Sequence, residues 1–208
     1  MKARQVDIVE NADDTRIADW LTDHIGELLG SRDGPVTITV PGGSTPFPIM
    51  ERMLQHDLDW SRLVVWPGDD RMVDEGHPAS NTGKLRALFE PAGAEVVTLT
   101  IMEAVPQFDL AWLGMGADGH VASLFPNTDP RVDETRRIVR LTPDPFPPEA
   151  PFDRITLTLP ALLDSERIVF VIRGEDKHRV FEQAAAGKND LPVARLLAHA
   201  KQPVTCFT

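Results

Sequence analysis

The segment LGMGADGHVASLFP, residues 113–126, holds an aspartate and a histidine in a glycine-rich turn. It continues the apolar segment DLAWL, which predicts a strand, and ligands of open α/β sheets bind just beyond the ends of such strands. A histidine at this position can act as a general base near neutral pH. Asp118 could orient the imidazole of His120 or contact a substrate hydroxyl. The alternative is that His120 only caps a short helix at ASLF, and residues 118–120 alone do not decide between the two.

The same segment contains the spacing G-x-G-x-x-G at Gly114, Gly116 and Gly119, which can mark a dinucleotide-binding turn. Such a turn normally follows the first strand, and an acid at the end of the next strand lies about 20 residues further on. Here the turn follows roughly the fourth predicted strand, and Asp133 and Glu134 precede the next strand instead of ending it. The spacing therefore gives weak support to a nucleotide site, and we expect no cofactor.

A second glycine-rich turn, PGGSTP at residues 41–46, follows the β-branched segment VTITV. Its inner residues are Gly42, Gly43, Ser44 and Thr45. The glycines let the backbone approach a ligand, the hydroxyl residues can cap a helix, and Pro46 suits the first helical position. Free amides at a helix start bind phosphate readily. No G-K-[ST] follows, which excludes a Walker loop, and Pro46 excludes the nucleophile elbow G-x-S-x-G. The alternative is a capped turn without a ligand.

Charged residues follow two further predicted strands. In DDR (69–71), Arg71 offers a bidentate guanidinium group for phosphate, and Asp69 or Asp70 could accept hydrogen bonds from sugar hydroxyls. Lys177 opens a predicted helix after RIVFVIRG, where the helix dipole disfavours a cation unless an anion is near. A salt bridge within a loop and an exposed helical lysine are the alternatives, and each is the commoner case in isolation.

The elements that must position these residues follow from the hydrophobic pattern. Strands are predicted at VTITV (36–40), LVVW (63–66), EVVTL (95–99), DLAWL (109–113), RIVRL (137–141), RITLTL (154–159), RIVFVI (167–172) and PVTCF (203–207). Helices are predicted from Asp13 or Asp14 through Leu28, from Pro46 to about His56, and over residues 80–89, 175–186 and 192–199. Short apolar strands alternating with helices predict an α/β fold with a mostly parallel open sheet and helices on both faces. The length of 208 residues predicts a single domain over residues 1–208.

Composition limits the partners. The chain has 21 basic and 32 acidic residues and a formal net charge of −11, which makes nucleic acid and anionic membranes poor candidates. An anionic ligand would therefore need a local positive site. Residues 1–15 lack the apolar core of a secretory signal, and no apolar run approaches the roughly 20 residues of a membrane span. We expect a soluble, cytoplasmic protein.

Metal and disulfide chemistry are not expected either. Cys206 is the single cysteine, so an intramolecular disulfide and a CxxC metal site are excluded. His56, His77, Asp69 and Asp70 form no recognised metal-binding spacing, and we predict no metal.

Taken together, these motifs resemble those of the 6-phosphogluconolactonase family, which is related to glucosamine-6-phosphate deaminase. The matching segments occur in the family's order and span most of the chain: VPGGSTP (40–46), DDR (69–71), HPASN (77–81), LGMGADGHVASLFP (113–126), RITLTLPAL (154–162) and RGEDK (173–177). GADGHVASLFP is specific, whereas PGGSTP is shared with the deaminases. In deaminases the histidine turn continues as A-F-N-E-P, and its glutamate takes part in catalysis. Here VASLFP follows His120, which favours the lactonase.

The resemblance implies a parallel α/β sheet and the hydrolysis of 6-phosphoglucono-δ-lactone to 6-phosphogluconate, without metal or covalent intermediate. It implies that His120 is the base that activates water and that Asp118 supports it. It also implies that the phosphate is held by the backbone amides of Gly42, Gly43, Ser44 and Thr45 and by the side chains of Arg71 and Lys177. Further members of the pocket by the same resemblance are Asp69, Asn81 and Arg154.

The chain departs from the family in two places. The family usually reads D-E-R where this chain has Asp70, a change of one methylene that leaves Arg71 in place. The family also tends to carry a helix before the strand equivalent to DLAWL, whereas TIMEAVPQF (100–108) is too short for a helix with its turns. We expect one side of the sheet to be shortened there.

Two other functions remain as alternatives: a deaminase/isomerase-like enzyme and a non-catalytic sugar-phosphate-binding domain. Domains of the second kind in transcription regulators normally carry an added helix-turn-helix. We find no spare basic N-terminal segment that could form one.

Overall fold

Strands and helices alternate along the protein, in a computed structural model that describes residues 6–148 and 150–208. The strands are β1 (Val6–Val9), β2 (Val36–Val40), β3 (Leu63–Pro67), β4 (Asp69–Arg71), β5 (Glu95–Val96), β6 (Leu110–Leu113), β7 (Ile138–Leu141), β8 (Arg154–Leu157), β9 (Ile168–Val171) and β10 (Val204–Phe207). The helices are α1 (Asp14–Ser31), α2 (Pro46–Met53), α3 (Asn81–Phe89), α4 (Leu159–Leu163), α5 (Glu175–Ala185) and α6 (Pro192–His199). Residues 1–5 lie outside the described residues. They belong to the segment 1–15, for which the sequence predicts no secretory signal.

Seven of the strands form a parallel sheet in the order β1-β10-β9-β6-β2-β3-β5. The strand β2 is central to the site, since it pairs with β3 on one side and with β6 on the other. Because the strands run in the same direction, their carboxyl ends meet at one edge, where open α/β sheets bind ligands. The glycine-rich turns that follow β2 and β6 are thereby brought to the same edge.

Helices cover both faces of this sheet. Side chains alternate along a strand, and β9 shows the consequence. Ile168 and Phe170 are buried in one core with residues of α4, α5 and α6. Val169 and Val171 are buried in the other core with residues of α1, α2 and α3. The predicted fold class, a mostly parallel α/β sheet with helices on both faces, is confirmed.

A second sheet of three antiparallel strands, β4-β8-β7, was not predicted. The predicted strands RIVRL and RITLTL form this sheet and do not join the large one. DDR, which we expected in a loop, is the strand β4, with Arg71 opposite Arg154. The chain leaves β3 at Gly68, whose amide still donates to the carbonyl of Val40 (2.9 Å), and it then pairs with β8.

One predicted strand is shorter in the structure, and the loops near it bear on two further expectations. EVVTL forms a strand only at Glu95–Val96, because β5 is the edge of the sheet and the chain must leave it to reach β6 on the far side of β2. Residues 97–107 contain no helix, as the length of TIMEAVPQF predicted. The segment ASLF forms turns and no helix. In the Pro-rich segment 143–151 the described residues form neither helix nor strand, and Glu149 lies outside them.

Candidate active site

The turn after β6 brings His120 and Asp118 into contact. Nδ1 of His120 lies 2.6 Å from Oδ1 of Asp118. An ionised carboxylate can only accept, so Nδ1 carries the hydrogen and Nε2 is the ring nitrogen that can take up a proton. The turn is closed by the amide of Gly116, which donates to the carbonyl of His120 (3.0 Å). Since ASLF is not helical, His120 does not cap a helix there.

Both side chains of this pair are accessible to a ligand. The side chain of His120 is 31% exposed and that of Asp118 is 51% exposed. Burial acts to raise the pKa of Asp118, but the hydrogen bond and the charge of His120 outweigh it, and the pKa is lowered. The carboxylate therefore stays ionised and can stabilise a positive charge on the imidazole. The ring of Phe125 lies 4.7 Å from that of His120 and covers one side of it.

The glycine spacing of this turn leaves room for the pair. A Cβ atom at Gly116 would lie 2.2 Å from Nδ1 of His120 and 2.5 Å from Oδ1 of Asp118. Gly119 has a φ of 78°, and a Cβ atom there would lie 2.8 Å from Leu191. Gly116 thus leaves room for the histidine and its carboxylate, and Gly119 allows the close approach of Leu191. These contacts account for two glycines of the nucleotide-like spacing without a nucleotide.

The turn PGGSTP lies at the carboxyl end of β2. Asn81 packs directly against it, since a Cβ atom at Gly42 would lie 2.2 Å from the Oδ1 atom of Asn81. Gly43 has a φ of 94°, which favours glycine. Thr45 is the N-cap residue of α2, but its side chain makes no capping hydrogen bond. The amides of residues 42–45 donate to no other described residue, so they can receive an anion.

Arg71 extends from β4 beside this turn. Its Nη1 atom donates to the carbonyl of Ala79 (2.8 Å) and lies 3.4 Å from Oδ1 of Asn81. Asn81 is therefore the contact that joins the glycine turn to the guanidinium group. The Nε atom of Arg71 is buried and has no hydrogen-bond partner within the described part of the chain.

A second guanidinium group lies opposite the first. Arg154 pairs with Arg71 in register and is only 3% exposed. It donates to the backbone carbonyls of Phe152 and Ala150, the latter at 2.7 Å. Burial, and then the charge of Arg71, lower the pKa of Arg154. Both guanidinium groups donate to neutral acceptors, so neither is paired directly with a carboxylate of the described residues and both can contact an anion.

The two aspartates of DDR are engaged within the protein. Asp70 binds the start of α3: its carboxylate accepts from the amides of Arg71 (2.7 Å), Asn81 (2.6 Å) and Thr82 (2.9 Å) and from the hydroxyl of Ser80 (3.2 Å). Asp69 is buried and accepts from the hydroxyl of Ser123 and the side-chain amide of Asn81. Burial raises the pKa of Asp69, and the hydrogen bond from Ser123 and the charge of Arg71 only partly offset this. Both carboxylates thus accept hydrogen bonds from within the protein.

Lys177 lies in the first turn of α5, directly after β9. The strand β9 is the neighbour of β6, so Lys177 is at the same edge of the sheet as His120. Its side chain is half-buried and forms no ion pair with a described carboxylate. The structure gives no contact between Lys177 and the glycine turn or Arg71.

Ser123 is the residue of this region that our predictions missed. It lies within the quoted motif, three residues after His120, and its signal is a polar residue in the otherwise apolar stretch VASLF. Its hydroxyl and its amide both contact the small sheet, through Asp69 and Thr156.

The described residues contain neither a cluster of potential metal ligands nor a helix that could cross a membrane. Among them, no group of three or more His, Cys, Asp or Glu side chains is arranged to hold a metal ion. No helix in residues 6–148 and 150–208 combines the length and the apolar character that a membrane crossing needs.

The sequence model of the family described as "Glucosamine-6-phosphate isomerases/6-phosphogluconolactonase" matches residues 12–92 and 90–205 of the chain. The chain belongs to this family. A curated 6-phosphogluconolactonase from Neisseria meningitidis serogroup A is 32% identical, covering 91% of the chain and 90% of the relative. One from Helicobacter pylori strain J99 is 31% identical and covers 82% of each.

The fold agrees with that of solved members of the family. A crystal structure of a 6-phosphogluconolactonase from Shewanella baltica OS155 matches with a TM-score of 0.81 and 25% identity, and the match covers 99% of the chain and 98% of that structure. Membership in the family and near-complete coverage on both sides confirm the resemblance that the motifs predicted.

Proposed function

We propose that the protein is a 6-phosphogluconolactonase, which hydrolyses 6-phosphoglucono-δ-lactone to 6-phosphogluconate in the pentose phosphate pathway. The observation that carries this function is the hydrogen bond between His120 and Asp118, in a turn that shares one sheet edge with a phosphate-binding turn and Arg71. The names of the curated relatives support the same reaction.

His120 acts as the base in this mechanism. Its Nε2 atom takes a proton from water as the water oxygen attacks the lactone carbonyl carbon. Asp118 holds the ring by its Nδ1 atom and stabilises the imidazolium ion. The tetrahedral intermediate then breaks its bond to the ring oxygen, which takes the proton from His120 and leaves as a hydroxyl group. The proton on the base is thereby returned, and the acid product is released.

The phosphate is held away from the reacting carbonyl. In our proposal the amides of residues 42–45 and the side chains of Arg71 and Lys177 bind it, and Arg154 adds a second guanidinium group. Asn81 holds the turn and Arg71 together. This arrangement anchors one end of the substrate while the other end reaches His120.

A deaminase reaction has less support. The glutamate that takes part in deaminase catalysis has no counterpart in VASLFP, where the polar side chain, Ser123, is bound to Asp69. Nothing else in the site favours ammonia release.

The test is to measure proton release with fresh 6-phosphogluconolactone beside ammonia release from glucosamine 6-phosphate. We expect the first and not the second. His120→Ala should lower kcat by roughly 10²- to 10⁴-fold, the usual contribution of a positioned base. Its folding should persist, since a partly exposed turn residue leaves no large cavity. A variant within a few-fold of the wild-type rate would remove His120 from the mechanism, and wild-type ammonia release alone would contradict the lactonase.

A further inference from the structure

A buried polar contact joins the catalytic turn to the strand that carries Arg71. The hydroxyl of Ser123 donates to Oδ2 of Asp69, and both residues are buried, with exposures of 1% and 9%. The amide of Ser123 donates to Oγ1 of Thr156 (3.2 Å). Thr156 lies opposite Asp69 in the small sheet, so Ser123 contacts two neighbouring strands at one level.

The two ends of this contact belong to different parts of the proposed site. Ser123 follows His120 by three residues, and Asp69 precedes Arg71 by two. Asn81 connects Asp69 to Arg71. Its side-chain amide donates to the carbonyl of Asp69 (2.9 Å), and its Oδ1 atom faces the guanidinium group of Arg71. The hydrogen bonds therefore form a continuous path from the histidine turn to the phosphate-binding arginine.

Burying the carboxylate of Asp69 between the turn of His120 and the small sheet is energetically unfavourable. Burying a charge or a polar group is unfavourable unless its partners are well placed, and an apolar pair often stabilises a fold as well or better. A hydrogen bond, however, fixes direction and distance in a way that apolar packing does not. The hydrogen bond between Ser123 and Asp69 lies between the turn of His120 and the strand of Arg71, so its fixed geometry can position the two residues for the reaction.

We propose that Ser123 and Asp69 are positioning residues that set the distance between His120 and the phosphate-binding Arg71. This inference rests on the proposed function, and it gives Asp69 a task other than binding a sugar hydroxyl. When the phosphate is bound, the link places the lactone carbonyl against the base. A substrate without a phosphate has no anchor, so its hydrolysis does not depend on the link.

The test compares Ser123→Ala on 6-phosphogluconolactone and on unphosphorylated gluconolactone, with spontaneous hydrolysis subtracted. Misplacement by about 1 Å costs on the order of 100-fold, so kcat on the phosphorylated lactone should fall by about 10- to 100-fold. The KM for that substrate and the rate on plain gluconolactone should each stay within about threefold of wild type, because the phosphate contacts are intact and the link is not used. Equal losses on both lactones would overturn the proposal.

Two further variants separate positioning from stability. Ser165→Ala is the matched control, because Ser165 is also a buried serine, donates to the carbonyl of Leu162 (2.9 Å) and precedes β9 at the opposite edge of the sheet. It should lower the melting temperature without changing the preference for the phosphorylated substrate. Asp69→Asn keeps an acceptor for Ser123 and should retain most of kcat, whereas Asp69→Ala removes the acceptor and should lose kcat on the phosphorylated lactone as Ser123→Ala does. Equal kcat values for the two Asp69 variants would overturn the proposal, even if Ser123→Ala does not fold.

A double-mutant cycle with Arg71→Ala completes the experiment. If the link acts through the anchor, Ser123→Ala should cost little in kcat once Arg71 is absent. The same loss in both backgrounds would show that Ser123 serves His120 alone and would overturn the proposal. A wild-type enzyme inactive on the phosphorylated lactone would instead contradict the proposed function, so the two failures are distinguishable.

Discussion

Replacing Arg71 by alanine should separate phosphate binding from hydrolysis. Its guanidinium group is fixed by the carbonyl of Ala79 at 2.8 Å and faces Asn81 beside the glycine turn. The phosphate does not react, so its contacts stabilise bound substrate and transition state alike and affect mainly KM. A charge-assisted hydrogen bond contributes about 1.5–3 kcal/mol, so its loss should raise KM by about 10- to 150-fold. Lys177→Ala should act in the same direction.

The assay measures initial rates of both variants on 6-phosphogluconolactone and on gluconolactone. Each variant should lose most of the preference for the phosphorylated substrate and hydrolyse the plain lactone about as slowly as wild type does. Some loss of kcat should accompany the rise in KM if the phosphate also orients the lactone. Arg179→Ala is the control, since Arg179 lies on the same helix as Lys177, is exposed and pairs with Asp176 at 3.3 Å.

Two results would refute this reasoning. Equal losses on both lactones would mean that the residues serve the fold or the chemistry and not the phosphate. An unchanged KM for Arg71→Ala on 6-phosphogluconolactone would mean that its guanidinium group does not bind the phosphate. An unchanged KM for Lys177→Ala alone would remove only Lys177 from the site.

Three further predictions concern the turn, the metal and the pH profile. Gly116→Ala should lower kcat by about 100-fold or more, because the new Cβ atom would lie 2.2 Å from Nδ1 of His120. Gly30→Ala, whose Cβ atom meets nothing within 4 Å, should keep the wild-type kcat, and a fully active Gly116→Ala enzyme would contradict the assignment. Lactonase activity should survive EDTA, and a loss restored by a divalent ion would show that a metal is needed. Burial, and then Arg167, lower the pKa of His24 from 6.5, so the unfolded chain binds more protons as the pH falls below about 6.5. The free energy of unfolding, measured in urea, should therefore fall with pH there, and an unchanged profile in His24→Gln would contradict this.

Features that depend on neighbouring residues were predictable from the sequence. Asp13 caps α1 by accepting from the amide of Arg16 (2.8 Å), as its position before the periodic apolar residues indicated. The turn at His120 was predictable for the same reason, since a strand, closely spaced glycines and a polar pair lie within one short segment. In both cases the local geometry is determined by residues that are close together in the sequence.

Features that depend on distant pairing were not predictable. The strand β4 is Asp-Asp-Arg, which has no apolar alternation, and it is a strand only because β8 lies beside it. The contact of Ser123 with Asp69 joins residues 54 apart in sequence. The prediction for EVVTL was wrong in the opposite sense. Its pattern is typical of a strand, but the segment lies at the edge of the sheet and the strand ends after Val96.

The positive charge of the site depends on where the neighbouring carboxylates bind. Asp69 and Asp70 precede Arg71 directly, and a salt bridge within DDR is what composition alone favours. Instead Asp70 accepts from the amides at the start of α3, and Asp69 accepts from Ser123. No ion pair with Arg71 or Arg154 forms in the described residues, whereas exposed arginines such as Arg131 are paired with acids. At physiological salt, exposed charges act weakly beyond about 8 Å, so the net charge of −11 does not cancel these two groups. An acidic protein can therefore present a cationic site for a phosphate.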